Sequence, residues 1–324
     1  MNIFLTIPDF SRHGGIRVII EWANRLSRWH SVYLHNLKGQ PNPDWITIAP
    51  EVVLCSDSMA GMDCLIITSP HSIHFADRPD CPPKVFLFMQ MAEHLFRPSD
   101  ITWLNLCRKF YTSPHPMFCI SQWNMSTIAN DFGRTGEMIY IGNGVNLDDF
   151  PISHAPKDVK TVLVEGWEAT NPSKDANRIG PMVARMLRKH GYRIVGFGIV
   201  PCKTLPHVLS EYVLKPDTPT MNRLYEQATI LIKASYFDAR SCSPMEAMTK
   251  GTVTVRAIDK GDDDLVHDVN CYRTAYKYEP TLSLALSLLR DDEKRHELAE
   301  ACRIYVQRYS WDYWMNKVQN RLME

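Results

Sequence analysis

Ala234-Ser235-Tyr236-Phe237-Asp238-Ala239-Arg240-Ser241-Cys242-Ser243-Pro244-Met245-Glu246-Ala247-Met248, followed by Gly251-Thr252-Val253-Thr254-Val255, is where the chain commits to a layered α/β fold. The apolar run 230–233 reads as a strand entering this stretch. Residues 244–249 read as a short helix, with Pro244 at its start, a position proline favours. Residues 252–255 read as the next strand. Strand, helix and strand in immediate succession make a parallel crossover unit. Asp238 and Glu246 stand eight positions apart across a loop of small residues. Carboxylates accept paired hydrogen bonds from vicinal hydroxyls, so these acids suit a sugar or a ribose; an acidic helix start is the other reading of the same residues.

The alternation extends both ways. In the first half, strands are predicted at 3–7, 32–37, 45–48, 64–68, 85–89, 117–120 and 138–141. The first helix places Ile16, Ile19, Ile20, Trp22, Ala23 and Leu26 on one face and Arg17, Glu21, Asn24, Arg25 and Arg28 on the other. Trp22 and Trp29 are expected in the core. In the second half, strands are predicted at 161–165, 192–197 and 212–214 beside the two above, and helices at 175–190 and 220–227, with three more from residue 280 onward. Residues 151–158 are polar and carry Pro151 and Pro156, which marks a linker. Two α/β domains are therefore expected, with ligands bound in a cleft between them.

At about 100–200 residues per domain, 324 residues suit two domains. The 36 basic and 36 acidic residues cancel, so no global field favours nucleic acid or an anionic membrane. Arg12, His13 and Arg17, with Arg108-Lys109, are the basic patches that remain. Nine cysteines are spread singly without metal-ligand spacing, which suggests a reducing compartment and a cytoplasmic protein. No apolar run approaches the length needed to span a bilayer. Asp262-Asp263-Asp264 reads as a loop and acidic helix start rather than a metal motif.

Three more segments carry chemistry. His13-Gly14-Gly15-Ile16 follows the first strand, where glycines let a ligand approach backbone N–H groups at a helix start; a tight turn is the plain alternative. Ile141-Gly142-Asn143-Gly144-Val145-Asn146, with Phe150, is a turn at the domain boundary. Val164-Glu165-Gly166-Trp167, then Pro172-Ser173-Lys174-Asp175, sets a lysine on a strand-to-helix loop, where it can neutralise a pyrophosphate or simply face solvent.

Together these segments resemble the large retaining GT-B glycosyltransferase family with the E-x7-E motif (group 1, family-4-like). The family shows a Gly-Gly loop after strand one, I-P-N-G-V-D-x-x-x-F, a G-R…K-G phosphate loop, and S…E-G-F-G-x-x-x-x-E-A-M-A-x-G-T-P-V-V. Leu224-Tyr225 within 221–228 and Tyr309-Ser310-Trp311 also match family elements. The departures are specific. Asp238 is one methylene shorter than the family's glutamate. Ala239-Arg240-Ser241 replaces Gly-Phe-Gly. Trp167 stands in place of the phosphate-loop arginine, a role Arg178, one turn into the helix, is placed to assume. Gln90 occupies the position of a sugar-contacting histidine.

The resemblance implies a GT-B fold: residues 1–150 an acceptor domain, 151–309 a nucleotide-sugar donor domain, and 310–324 a helix crossing back to the first. It implies a UDP- or GDP-linked donor and no metal or other cofactor. Glu246 would hold the ribose. Asp238 and the backbone of Ala239, Arg240, Ser241 and Cys242 would hold the sugar. Lys174, with Gly14, Gly15, Gly166 and Arg178, would meet the diphosphate. His94 joins Lys174, Asp238 and Glu246 as a catalytic candidate, and Arg12, His13, Arg17, Gln90 and Glu93 are acceptor-side candidates. The acceptor would be a glycan or small molecule. A hydroxymethylated base of viral DNA, a non-catalytic nucleotide-sugar binder and a GT-B epimerase are the alternatives. Trp311-Asp312-Tyr313-Trp314, opening the last helix, is expected to pack rather than to stack on a sugar.

Overall fold

The computed structural model describes residues 1–165, 178–201 and 207–324. It resolves into two compact units, Met1–Asn143 with Trp314–Glu324, and Gly144–Tyr313. The first holds β1 (Asn2–Ile7), α1 (Gly14–Leu26), β2 (Ser31–Asn36), β3 (Val52–Leu54), β4 (Cys64–Ile67), β5 (Lys84–Met89), α2 (Ile101–Tyr111), β6 (Met117–Cys119), α3 (Gln122–Phe132) and β7 (Met138–Tyr140). Its seven strands are parallel in the order β3-β2-β1-β4-β5-β6-β7. Strand order reverses between β1 and β4, and the carboxyl ends at such a switch point are where these sheets bind ligands.

The second unit repeats the design. It holds β8 (Asp158–Glu165), α4 (Ile179–Lys189), β9 (Arg193–Gly198), β10 (Glu211–Leu214), α5 (Thr218–Gln227), β11 (Ala228–Asp238), α6 (Cys242–Thr249), β12 (Val253–Gly261), β13 (Tyr272–Thr274), α7 (Tyr278–Arg290) and α8 (Asp292–Arg308). Its parallel sheet runs β10-β9-β8-β11-β12-β13 and reverses between β8 and β11. Both faces are covered, so the strands read as near-continuous apolar runs. Ile230, Ile232 and Ala234 pack on one side with Val183 and Leu288, while Leu231 packs on the other with Tyr225, Met248 and Val306.

The last helix, α9 (Trp311–Met323), joins the first unit from Trp314 onward. There Trp314 meets Tyr140 edge-on, Arg321 pairs with Glu137 at 2.7 Å, and Lys84 donates to the Leu322 carbonyl at 3.0 Å. The expected return of the C-terminal helix is therefore present, and Trp311 and Trp314 are both buried as packing residues. Gly144 shows how closely the chain is drawn together within the second unit. A Cβ there would lie 2.5 Å from Trp311 Cα and 2.6 Å from the Ser310 carbonyl carbon.

Several expectations need correction. Residues 45–48 form no strand, because side chains hold this segment instead of a ladder. Trp45 donates to the Phe10 carbonyl at 3.0 Å, and the Asn24 amide bonds Thr47 and Ala49. The edge strand is β3, a few residues later. Trp29 lies beyond α1 and is 42% exposed, whereas Trp22 is buried and stacks on Phe88 at 3.9 Å. Glu21 and Arg25, expected outside, are buried and pair one turn apart at 3.7 Å. Helix α6 begins at Cys242, so Pro244 sits inside the first turn, where backbone N–H groups have no intrahelical partner. No helix of the described residues is long and apolar enough to cross a membrane.

Candidate functional site

Strand β11 carries its apolar pattern to Lys233 and then delivers Asp238 to the carboxyl edge of the second sheet, where α6 begins. Asp238 is 8% exposed. Its carboxylate accepts from Ser241 Oγ at 2.7 Å, from Arg256 Nη2 at 3.4 Å and from the Ala239 N–H at 3.1 Å. Glu246 lies on α6 and accepts from the buried Tyr225 hydroxyl at 3.0 Å, which fixes the carboxylate. Asp238 and Glu246 are therefore both held by hydrogen bonds, one just before α6 and one within it, at the edge where doubly wound sheets bind ligands.

Asp262 is buried beside them, and it is not the helix start expected for 262–264. Its carboxylate takes the Ser241 N–H at 2.9 Å and Arg256 Nε at 2.6 Å, and lies 2.9 Å from Ser241 Oγ. Asp264 pairs with Arg240, whose guanidinium also reaches the Tyr305 hydroxyl at 3.2 Å. These acids are spent on arginines. Among the described residues no group of three or more His, Cys, Asp or Glu side chains is arranged to hold a metal ion. The Ala239 and Ser241 N–H groups are engaged by Asp238 and Asp262, so these two amides shape the loop rather than wait for a ligand. Arg240 likewise turns inward.

Gly166, Trp167 and Lys174 lie outside the described residues. Arg178 is exposed and is the N-cap of α4 with a left-handed backbone, φ 56°, rather than one turn inside the helix.

In the first unit, His13 is the N-cap of α1 and Gly14 its first residue. A Cβ on Gly15 would lie 3.4 Å from His13 Nδ1 and 3.5 Å from Gln90 Oε1, so the Gly-Gly loop and the end of β5 converge. Arg12 and Arg17 flank that loop, both partly exposed. Glu93 follows in surroundings apolar enough to push its carboxyl up to about 8. His94 is different: it is buried, its Nε2 lies 2.9 Å from Asp131, and Tyr111 and Phe132 meet its ring edge-on. Burial lowers its pKa. The ring is therefore spent in the packing around α2 and α3. Of the second basic patch, Lys109 pairs with Asp77 at 2.6 Å and Arg108 lies over the Phe132 ring.

Residues the sequence reading passed over are as prominent as those it named. Lys233 and Arg256 are buried in the second unit and tie Glu165, Asp238 and Asp262 together. The signal was available: a charged residue inside a continuous apolar strand run is expected to be paired.

The sequence matches no family model and no curated protein. Among solved structures the whole chain is similar to sucrose-phosphate synthase from Thermosynechococcus elongatus, with a TM-score of 0.82, 14% identity, and coverage of 99% of this chain and 98% of that one. It is similar to Anabaena HepE in complex with UDP-glucose, with a TM-score of 0.79, 12% identity, and coverage of 100% and 99%. It is also similar to WaaG, a glycosyltransferase involved in lipopolysaccharide biosynthesis, with a TM-score of 0.66, 14% identity and 98% of each chain covered. These matches establish a two-domain, Rossmann-like GT-B fold.

Proposed function

We propose that this chain is a retaining, metal-independent glycosyltransferase that takes a nucleotide-activated sugar as donor. The observation that carries the reading is the placement of Asp238 and Glu246 around the start of α6, at the ligand-binding edge of the second sheet, with Tyr225 fixing Glu246. The likeness to HepE in complex with UDP-glucose, over the whole length of both chains, supports a UDP-linked donor. In this reading Glu246 accepts from the ribose hydroxyls and Asp238 meets the sugar. Lys174 stabilises the charge growing on the departing diphosphate, aided by Gly166 and Arg178. The leaving phosphate takes the acceptor proton, so no separate base is required. Arg12, His13, Arg17, Gln90 and Glu93 face the acceptor, a hydroxyl of a glycan or small molecule.

The test is donor turnover. Purified chain incubated with UDP-glucose, UDP-N-acetylglucosamine and GDP-mannose should release nucleoside diphosphate from one of them, in the presence of excess chelator. Lys174→Ala should slow release by about a hundredfold, the usual scale for one charge-stabilising group. Proton NMR of a gluco-configured product should show the small anomeric coupling of a retained α-linkage. No turnover of any donor, or turnover abolished by chelator and restored by manganese, would defeat the reading.

A further inference from the structure

Four charged side chains stand in register across the second sheet: Glu165 on β8, Lys233 on β11, Arg256 on β12 and Arg273 on β13. The row lies five residues before Asp238, the last residue of β11. Ser241 Oγ lies 2.7 Å from Asp238 Oδ2 and 2.9 Å from Asp262 Oδ2, so two carboxylate oxygens crowd one hydroxyl. A hydroxyl has one proton to donate. The second oxygen therefore gains no bond from it, and the two buried carboxylates repel. The nearby cations offset this. Arg256 bridges the pair through Nε to Asp262 and Nη2 to Asp238. Lys233 Nζ is anchored at 2.7 Å on Glu165 and stands 3.9 Å from Asp238 Oδ2. Its side chain is 4% exposed, so solvent screens it little.

We propose that Lys233 is a positioning residue of the donor site: anchored on Glu165, it holds the Asp238 carboxylate in place against Asp262, so that Asp238 meets the donor sugar. The inference rests on the donor-site reading above. It separates from a purely structural role because Asp238 touches only the sugar, whereas Glu246 grips the nucleotide. Loss of Lys233 therefore weakens the sugar-bearing donor and spares the bare nucleotide.

The experiment is calorimetry of wild type, Lys233→Met, Glu165→Gln, Asp238→Ala and Lys233→Met/Asp238→Ala. The probes are UDP-glucose with UDP, and GDP-mannose with GDP. Lys233→Met should weaken the sugar nucleotide by about tenfold or more and leave the bare nucleotide within about twofold. Glu165→Gln, nearly isosteric, should shift the same ratio in the same direction and supplies the readout if Lys233→Met does not fold. In the Asp238→Ala background the lysine change should add nothing, since both act through one contact. Equal weakening of both ligands, no weakening in either variant, or full additivity with Asp238→Ala would overturn the proposal. Wild type binding none of the four probes would remove the donor site itself, a result visible before any variant is compared.

Discussion

Replacing Arg256 with methionine should strongly destabilise the second unit. Arg256 is fully buried; its Nε donates to Asp262 at 2.6 Å, its Nη1 to the Lys233 carbonyl at 3.1 Å, and its Nη2 reaches Asp238 at 3.4 Å. A buried ion pair adds little net stability against an apolar core, because desolvation offsets the attraction. Removing one partner is another matter. Methionine fills much of the volume but leaves Asp262, 1% exposed, facing Asp238 without its cation. Such an uncompensated charge costs about 3–5 kcal/mol. For a unit of this size each kcal/mol moves the melting temperature by about 2–4 °C, so calorimetry should show a fall of roughly 6–20 °C. Arg256→Met/Asp262→Asn should recover part of it, because the stranded charge is gone. A fall of less than about 2 °C in the single variant would mean that the cluster is solvated in solution and that its charges are not coupled.

Other outcomes follow from the same geometry. Gly144→Ala should cost about 1–3 kcal/mol in a thermal melt, since the added Cβ meets the Trp311 and Ser310 backbone rather than a movable side chain. Burial pushes the Lys157 ammonium down to about 7 from its ordinary 10.5. The penalty for burying its charge is then full below about pH 7 and relieved as pH rises toward 10.5, because the unfolded chain keeps the proton that the folded chain sheds. Urea titrations at pH 6.5 and 9.5 should show wild type gaining stability relative to Lys157→Met; a constant difference would contradict the shift.

Most of the fold is legible in the sequence because the sheets are parallel and covered on both faces, which writes each strand as a short apolar run. The first helix and the two-unit order are read from pattern alone, but the division falls between Asn143 and Gly144, so Pro151 and Pro156, read as a linker, lie within the second unit. The failures share a cause: tertiary pairing that pattern does not encode. Residues 45–48 look like a strand, but the Asn24 side chain takes their backbone groups. Strand β12 runs on to Gly261 through Arg256, Asp259 and Lys260, whose charges break the apolar run. Asp262–Asp264 look like a helix start because their arginine partners come from a strand and a loop of their own. At the candidate site, Asp238 and Glu246 stand out by spacing. Lys233 and Arg256 show in the sequence as charges inside strand runs, but their pairing follows only from the register of β11 and β12, which sets them side by side.

The most direct test of the donor site is the affinity of a nucleoside diphosphate for wild type and for Glu246→Ala, measured by calorimetry on chains shown to be folded. Two charge-assisted hydrogen bonds from a ribose to Glu246 predict that wild type binds UDP or GDP and that the variant loses at least about tenfold in affinity. Equal affinities, or no binding by wild type, would contradict the assignment of this edge of the second sheet to a nucleotide sugar.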